Sequence, residues 1–311
     1  MRKLIFVVGV FLAVTGFTKQ EITSKVDAGV FENFKTEITE LRTQQDPWVI
    51  FTAIDNNDYA GVKSLLAQGI KANKRDWANN TPLMWAAKRG YTNICELLLS
   101  YYTKDMNIDE PNDYDWTALM FAAQNNRAET AKFLIEKGAN KNYRTSSFSE
   151  TIMGVAATSG AVEVIKVLLN KGVSIEQKSG NLGYTPLMNA VDANKAGVVS
   201  FLIAKKAAVN AEDSFGDTPL MIAASKGYYR ILQILIANSA KVNIENEEGK
   251  TALIFAAENG HYDSVAYMLD TSRLEKANIN HKDIYGKTAL KYARENGHAK
   301  VAELLVSKGA K

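Results

Sequence analysis

A threonine-led heptapeptide returns seven times along this chain at a nearly constant interval. That period constrains the fold more than any other feature. It reads Thr81-Pro82-Leu83-Met84-Trp85-Ala86-Ala87, then Thr117-Ala118-Leu119-Met120-Phe121-Ala122-Ala123. It continues as Thr151-Ile152-Met153-Gly154-Val155-Ala156-Ala157 and Thr185-Pro186-Leu187-Met188-Asn189-Ala190-Val191, with further copies opening at Thr218, Thr251 and Thr288. The threonines stand 36, 34, 34, 33, 33 and 37 residues apart. Roughly thirteen residues after each comes an apolar cluster, such as Ile94-Cys95-x-Leu97-Leu98-Leu99 or Ile231-Leu232-x-Ile234-Leu235-Ile236. A Thr cap, with Pro in the first turn of several copies, predicts a short helix. Apolar residues at i, i+1, i+3 and i+4 predict a second. A chain of 311 residues would overfill a single core. An array escapes that limit, because each pair buries its apolar face only against the next.

Period and heptapeptide together resemble the ankyrin repeat, which has a period near 33 and a T-P-L-H-x-A signature. The glycine after the first helix stands at Gly90, Gly160, Gly227, Gly260 and Gly297. The Asp-x-x-Gly-x-Thr finger appears as Asp213 to Thr218 and Asp283 to Thr288. The resemblance covers about residues 48–311 and implies an all-α repeat solenoid of about eight helix-turn-helix units with β-hairpin fingers. The implied units run at about 47–75, 76–111, 112–145, 146–179, 180–212, 213–245, 246–282 and 283–311. The first is degenerate, with Phe51, Ile54, Val62, Leu65 and Leu66 at the matching apolar positions. The last carries Lys291 and Arg294 on the outer face that a terminal repeat presents to water. The signature histidine, which the family uses to brace the turn, is replaced by Met84, Met120, Gly154, Met188, Met221, Ile254 and Lys291. Apolar contacts are expected to substitute. The Gly154 unit, whose finger (residues 144–150) lacks the usual glycine, is expected to be the weakest joint.

Ahead of the repeats, Arg2-Lys3 and the apolar run Leu4 to Phe17 suit a secretory signal peptide, taken as residues 1–18. The run is short of the roughly 20 residues that span a bilayer. Residues 19–46 form a linker in which Val26, Val30, Phe34, Ile38 and Leu41 recur at helical spacing, predicting an amphipathic capping helix. Cys95 is the only cysteine, so no internal disulfide can form. Export without disulfides points to a bacterial periplasm, with release from the cell as the alternative. Net charge is +3, and +1 once Arg2 and Lys3 are removed (3 − 2), which gives no footprint for nucleic acid.

No catalytic constellation emerges. Gly249-Lys250-Thr251 and Gly286-Lys287-Thr288 lack the earlier glycine of a phosphate loop and coincide with the finger and cap. His261, His281 and His298 have no completing ligands for zinc. The acidic run from Asp105 to Asp115 lacks calcium-loop spacing. Residues 18–46 are too short for a second, catalytic fold. The chain is therefore expected to be a non-enzymatic protein-binding scaffold that needs no cofactor or metal. In the family register, fingers and first helices line a concave face. That register places Trp77, Tyr114, Trp116, Phe148, Tyr184, Phe215 and Tyr285 outward on the fingers, with Arg89 among the interleaved polar groups. Rigid aromatics dominate interface hot spots, so these eight residues are the candidate protein-binding site. Trp77 and Trp116 are expected to be the most exposed. The partner is expected to be a protein or extended peptide, either of the envelope or, for a secreted effector, of a host.

Overall fold

The computed structural model describes residues 48–103, 106–270 and 276–311. The expected signal peptide and capping helix lie outside them, as do parts of the two long connections. The chain divides after Thr52, and the second unit, Ala53–Lys311, carries the stack. Among the described residues there are sixteen helices, in eight pairs. The first pair is α1 (Val49–Asp55) and α2 (Tyr59–Ala67). The inner helices of later pairs are α3 (Pro82–Arg89), α5 (Ala118–Gln124), α7 (Ile152–Ser159), α9 (Pro186–Asp192), α11 (Pro219–Ser225), α13 (Ala252–Glu258) and α15 (Ala289–Glu295). Their outer partners are α4 (Thr92–Ser100), α6 (Ala128–Glu136), α8 (Val162–Asn170), α10 (Ala196–Ala204), α12 (Tyr229–Ala237), α14 (Tyr262–Asp270) and α16 (Ala299–Ser307).

None of these helices exceeds nine residues. Isolated helices shorter than about 12–15 residues are marginal in water, so packing must hold them. From α3 onward each inner helix packs on its own outer helix, and those from α3 to α13 pack also on the inner helix of the next unit. Paired alanines such as Ala86-Ala87, Ala122-Ala123 and Ala256-Ala257 are fully buried and let the inner helices lie close. Leu98, Leu134, Leu168, Leu202, Leu235 and Leu305 are fully buried from the outer row. Each such side chain contributes about 1.5–3 kcal/mol by leaving water.

Threonine starts the inner helices as its position predicts. The hydroxyls of Thr81, Thr117, Thr151, Thr185, Thr218 and Thr288 accept from the amide three residues on, at 3.0 to 3.4 Å. The absent signature histidine is replaced in three units by more than apolar contact. The backbone amides of Thr81, Thr185 and Thr218 donate to the sulfurs of Met84, Met188 and Met221 at 3.3, 3.5 and 3.4 Å. A thioether is a weak acceptor, but here it closes a reciprocal cap.

Inner helices end in one recurring reversal. A left-handed residue is followed by an amide that bonds five residues back, as in Tyr91 to Ala86, Arg127 to Ala122 and Tyr228 to Ala223, at 2.8 to 3.0 Å. Glycine fills the left-handed position in the units singled out from sequence, while Asn57, Asn126 and Asn194 fill it elsewhere. At Gly227 a second constraint applies, because a Cβ would sit 2.4 Å from Nδ1 of His261 in the next unit. That ring reaches back to the Ser225 carbonyl at 2.9 Å, and His298 likewise to Glu258 at 3.0 Å. Arg127 Nε donates to the Lys88 carbonyl at 3.2 Å. These side chains satisfy carbonyls left open at helix ends, so two of the three histidines brace neighbouring units.

The Gly154 unit differs from its expected weakness. Thr145 Oγ1 accepts from the Glu150 amide at 2.8 Å, and Arg144 donates to the carbonyls of Ser149 and Lys178 at 2.9 and 2.8 Å. Ser149 takes the left-handed conformation that glycine holds in other fingers. Ser179 Oγ, which accepts from the Thr151 amide at 2.9 Å, occupies the space beside Gly154. A Cβ on Gly154 would lie 2.2 Å from that oxygen and 2.6 Å from the Ser179 Cβ. Alanine normally stabilises a helix interior by about 0.5–1 kcal/mol relative to glycine. Here the sign is expected to invert: Gly154→Ala should lose about 1–3 kcal/mol to overpacking in urea unfolding.

Candidate functional site

The fingers are built by one side chain each. In five of them an Asp or Asn accepts, through Oδ1, from the amides two and four residues on. Asp76 serves Ala78 and Asn80, Asn112 serves Tyr114 and Trp116, and Asp213 serves Phe215 and Asp217. Asn246 and Asp283 repeat the pattern. Single backbone bonds tie neighbouring fingers, from Asp113 to Ala78, Gly180 to Ser149, Ser214 to Leu182, Glu247 to Phe215 and Ile284 to Glu248. The fingers are therefore turns rather than paired strands, with isolated bridges at Arg144–Thr151 and Ser179–Tyr184.

Position within this turn decides what a side chain does. The residue just before the left-handed one is the tip: Tyr114, Phe148, Phe215 and Tyr285 stand there, 67, 64, 54 and 64% exposed. Leu182 occupies the same place and is also exposed. In the first finger buried Ala78 holds the tip, and Trp77, one residue earlier, is 77% exposed. Exposed Ile284 is the counterpart of Trp77 in the last finger. Leu182 and Ile284 escaped a reading that looked for aromatics, although turn register marks them.

Trp116 corrects the expectation of exposure. It sits directly before the cap threonine, half-buried, with Nε1 donating to Glu150 Oε2 at 3.2 Å and its ring edge-on to Phe121 at 5.4 Å. Tyr184 shares that position and is half-buried. Burial pushes its phenol up to about 12, helped by the charges of Asp192, Asp213 and Asp217. Both rings are drawn in from the finger surface, and Trp116 ties its finger to the next through Glu150. Arg89 is exposed and ion-paired with Asp55. The interleaved asparagines, Asn125 and Asn259, turn back to the carbonyls of Phe121 and Phe255 at 2.9 Å.

Below the fingers, the two ends of the row differ. Near the first, Trp77, Trp85, Phe121, Met84, Lys88 and Arg89 line a cleft of about 280 Å³. Burial of Asp76, which alone raises its carboxyl, is outweighed by hydrogen bonds from Asn80, Trp85 and Ala78, so it stays below the usual carboxylate range. Near the last, the Lys250 ammonium lies 5.0 Å from the Tyr292 ring centroid and 3.2 Å from Glu258. Tyr292 donates its hydroxyl to Asp283 Oδ2 at 2.6 Å.

Among the described residues, no cluster of His, Cys, Asp or Glu could hold a metal ion. Cys95 is fully buried, and burial pushes its thiol up to about 12, far from the range of an active nucleophile. No described helix is long and apolar enough to cross a membrane.

The sequence matches the pattern of ankyrin repeats in three copies, over residues 50–145, 152–246 and 220–311. The chain belongs to the ankyrin-repeat family. Part of it is 31% identical over 87 residues to the human transient receptor potential cation channel subfamily A member 1, covering 28% of this chain and 8% of the channel. Another similarity, 31% over 116 residues, is to a putative ankyrin repeat protein of fowlpox virus (strain NVSL), covering 37% of this chain and 15% of that protein. The chain thus matches less than a sixth of either relative. Ankyrin repeats generally mediate protein–protein interaction and are typically non-enzymatic. In this stack the finger tips take no part in helix packing, and the most exposed of the large apolar side chains, Trp77, Tyr114, Phe148, Ile284 and Tyr285, stand at or beside them.

Trp77→Ala is expected to leave the thermal midpoint nearly unchanged. Trp116→Ala should lower it by several degrees, because it removes a half-buried hydrogen bond and a ring contact; circular dichroism melts of the two variants make the comparison. Asp283 yields a pH dependence. Its burial, which raises the carboxyl, is outweighed by the bonds from Tyr292, Lys287 and Tyr285, so its folded pKa is lowered. Its stabilisation is therefore present above the unfolded value of about 3.9 and lost as pH falls through the lower folded value. Asn246 makes the same two backbone bonds without charge, so Asp283→Asn isolates the carboxylate. The urea-midpoint difference between native chain and variant should shrink from pH 7 towards pH 3.

Proposed function

We propose that this chain is a non-enzymatic scaffold of the bacterial periplasm that holds a protein or an extended peptide against its fingers and inner helices. The observation that carries the reading is the row of exposed finger aromatics, Trp77 beside the first tip and Tyr114, Phe148, Phe215 and Tyr285 at theirs. Large rigid aromatics supply contact area at low entropic cost and dominate interface hot spots, and these stand on separate fingers without a packing role of their own. Trp116 and Tyr184, drawn in from the finger surface, are not part of that row. Arg2-Lys3, the apolar run after it and the lone buried Cys95 support the periplasmic location.

The test is affinity capture from envelope extract of the source organism. The native chain serves as one bait and a Trp77→Ala/Phe215→Ala/Tyr285→Ala chain, verified as folded, as the other. A protein held by the native bait and lost from the variant is the expected result. Identical capture by both would overturn the finger surface as the binding face. Cell fractionation with an antibody against the chain tests the location, and a cytoplasmic signal would overturn it.

A further inference from the structure

Resting on that reading, we infer that the cleft below the first finger is an anchor subsite for a partner segment that presents a bulky apolar side chain beside an aspartate or glutamate.

Its size comes first. At about 280 Å³, it falls at the lower edge of the roughly 300–1,000 Å³ that small-molecule sites occupy. It suits one or two side chains rather than a cofactor. The walls are rings: Trp77 stands exposed at the rim, with Trp85 and Phe121 half-buried below it and Met84 as the floor. Trp85 is held in place, since its Nε1 donates to Asp76 Oδ2 at 2.9 Å. A site fixed beforehand loses less entropy on binding.

The polar groups give the sign of the ligand. Asp76 is the one carboxylate lining the cleft, and both its oxygens are engaged. Oδ1 accepts from the amides of Ala78 and Asn80 at 2.8 Å, and Oδ2 from Asn80 Nδ2 and Trp85 Nε1 at 2.9 Å. It offers a cation little. On the facing lip Lys88 is exposed and forms no ion pair among the described residues. Beside it, exposed Arg89 engages Asp55 and keeps further N–H donors. The unspent groups are therefore cationic donors, complementary to a carboxylate.

The repeat supplies its own control. The residues that match Lys88 in later units are Gln124, Thr158, Asp192, Ser225, Glu258 and Glu295. None is cationic. At the position of Trp85, the successors are Phe121, Val155, Asn189, Ile222, Phe255 and Tyr292. The two acidic sites at the far end are occupied by Lys250 and Lys287, and Lys226 is occupied by Asp192. Two adjacent inner-helix aromatics beside an unpaired lysine occur only here among the described units. Stacking does not demand them, because the units carrying Val155, Asn189 and Ile222 at this position stack without them.

The probe is a displayed library of random dodecapeptides selected on the full chain. Fluorescence anisotropy of a fluorescein-labelled consensus peptide follows. Enriched sequences should place a bulky apolar residue within three positions of Asp or Glu. Affinity for the consensus should fall about tenfold or more, roughly the effect of one lost charge-assisted contact, in both Lys88→Glu and Trp77→Ala. It should hold within about twofold in Tyr262→Ala/Val306→Ala, exposed changes on the outer helices away from the fingers, with Phe215→Ala/Tyr285→Ala measured alongside. Lys88→Glu is an exposed change whose folding circular dichroism verifies. Enrichment of basic or acid-free sequences, no enrichment, or a consensus indifferent to Lys88→Glu would overturn the subsite. Binding lost only in Phe215→Ala/Tyr285→Ala would overturn the subsite and leave the finger surface standing. Binding unchanged in every variant would overturn both.

Discussion

Helices of seven to nine residues do not persist in water by themselves, and every other feature of this molecule follows from how that shortage is met. Each pair leaves one apolar side that only its neighbour can cover. The stack therefore needs a reversal between inner and outer helix that repeats with little variation. The left-handed residue and the amide bonded five residues back provide it. Once the reversal is fixed, the residue after it lies against the preceding unit, where His261, His298 and Arg127 satisfy exposed helix-end carbonyls. The fingers follow from the same geometry, as connections that must return each chain segment to the start of the next inner helix.

Much of this was legible in the sequence. Threonine at a fixed period named the helix starts, because a hydroxyl that caps has few other reasons to recur. Glycine named most of the reversals, but Asn126 and Asn194 do the same work and pass unnoticed in a search for glycine. The sulfur caps of Met84, Met188 and Met221 were hidden for a different reason: methionine reads as apolar, and its weak acceptor shows only in geometry. Gly154 looked like a gap, and the residue that fills it, Ser179, stands in another finger.

The candidate surface was half legible. Aromatic type located the fingers, but not which rings face water. Trp116 and Tyr184 stand immediately before the cap, where the chain turns inward, whereas Phe148 and Phe215 stand at the tip. The left-handed residue supplies the register that separates them, and Ser149 and Asp115 disguise it in two fingers because they are not glycine. Lys88 carried no motif at all. Its meaning comes from comparison with the same place in other units of this chain.

The tips Tyr114, Phe215 and Tyr285 project from turns whose conformation is fixed by an Asp or Asn two residues earlier, and Phe148 from one held by Thr145. Substitutions at well-separated sites with no shared partners add independently. A change at Phe148 therefore leaves the conformation and the energetic weight of Tyr285 untouched. Recognition on such a row can be rewritten one digit at a time, with the backbone acting as a ruler that keeps the remaining digits in place.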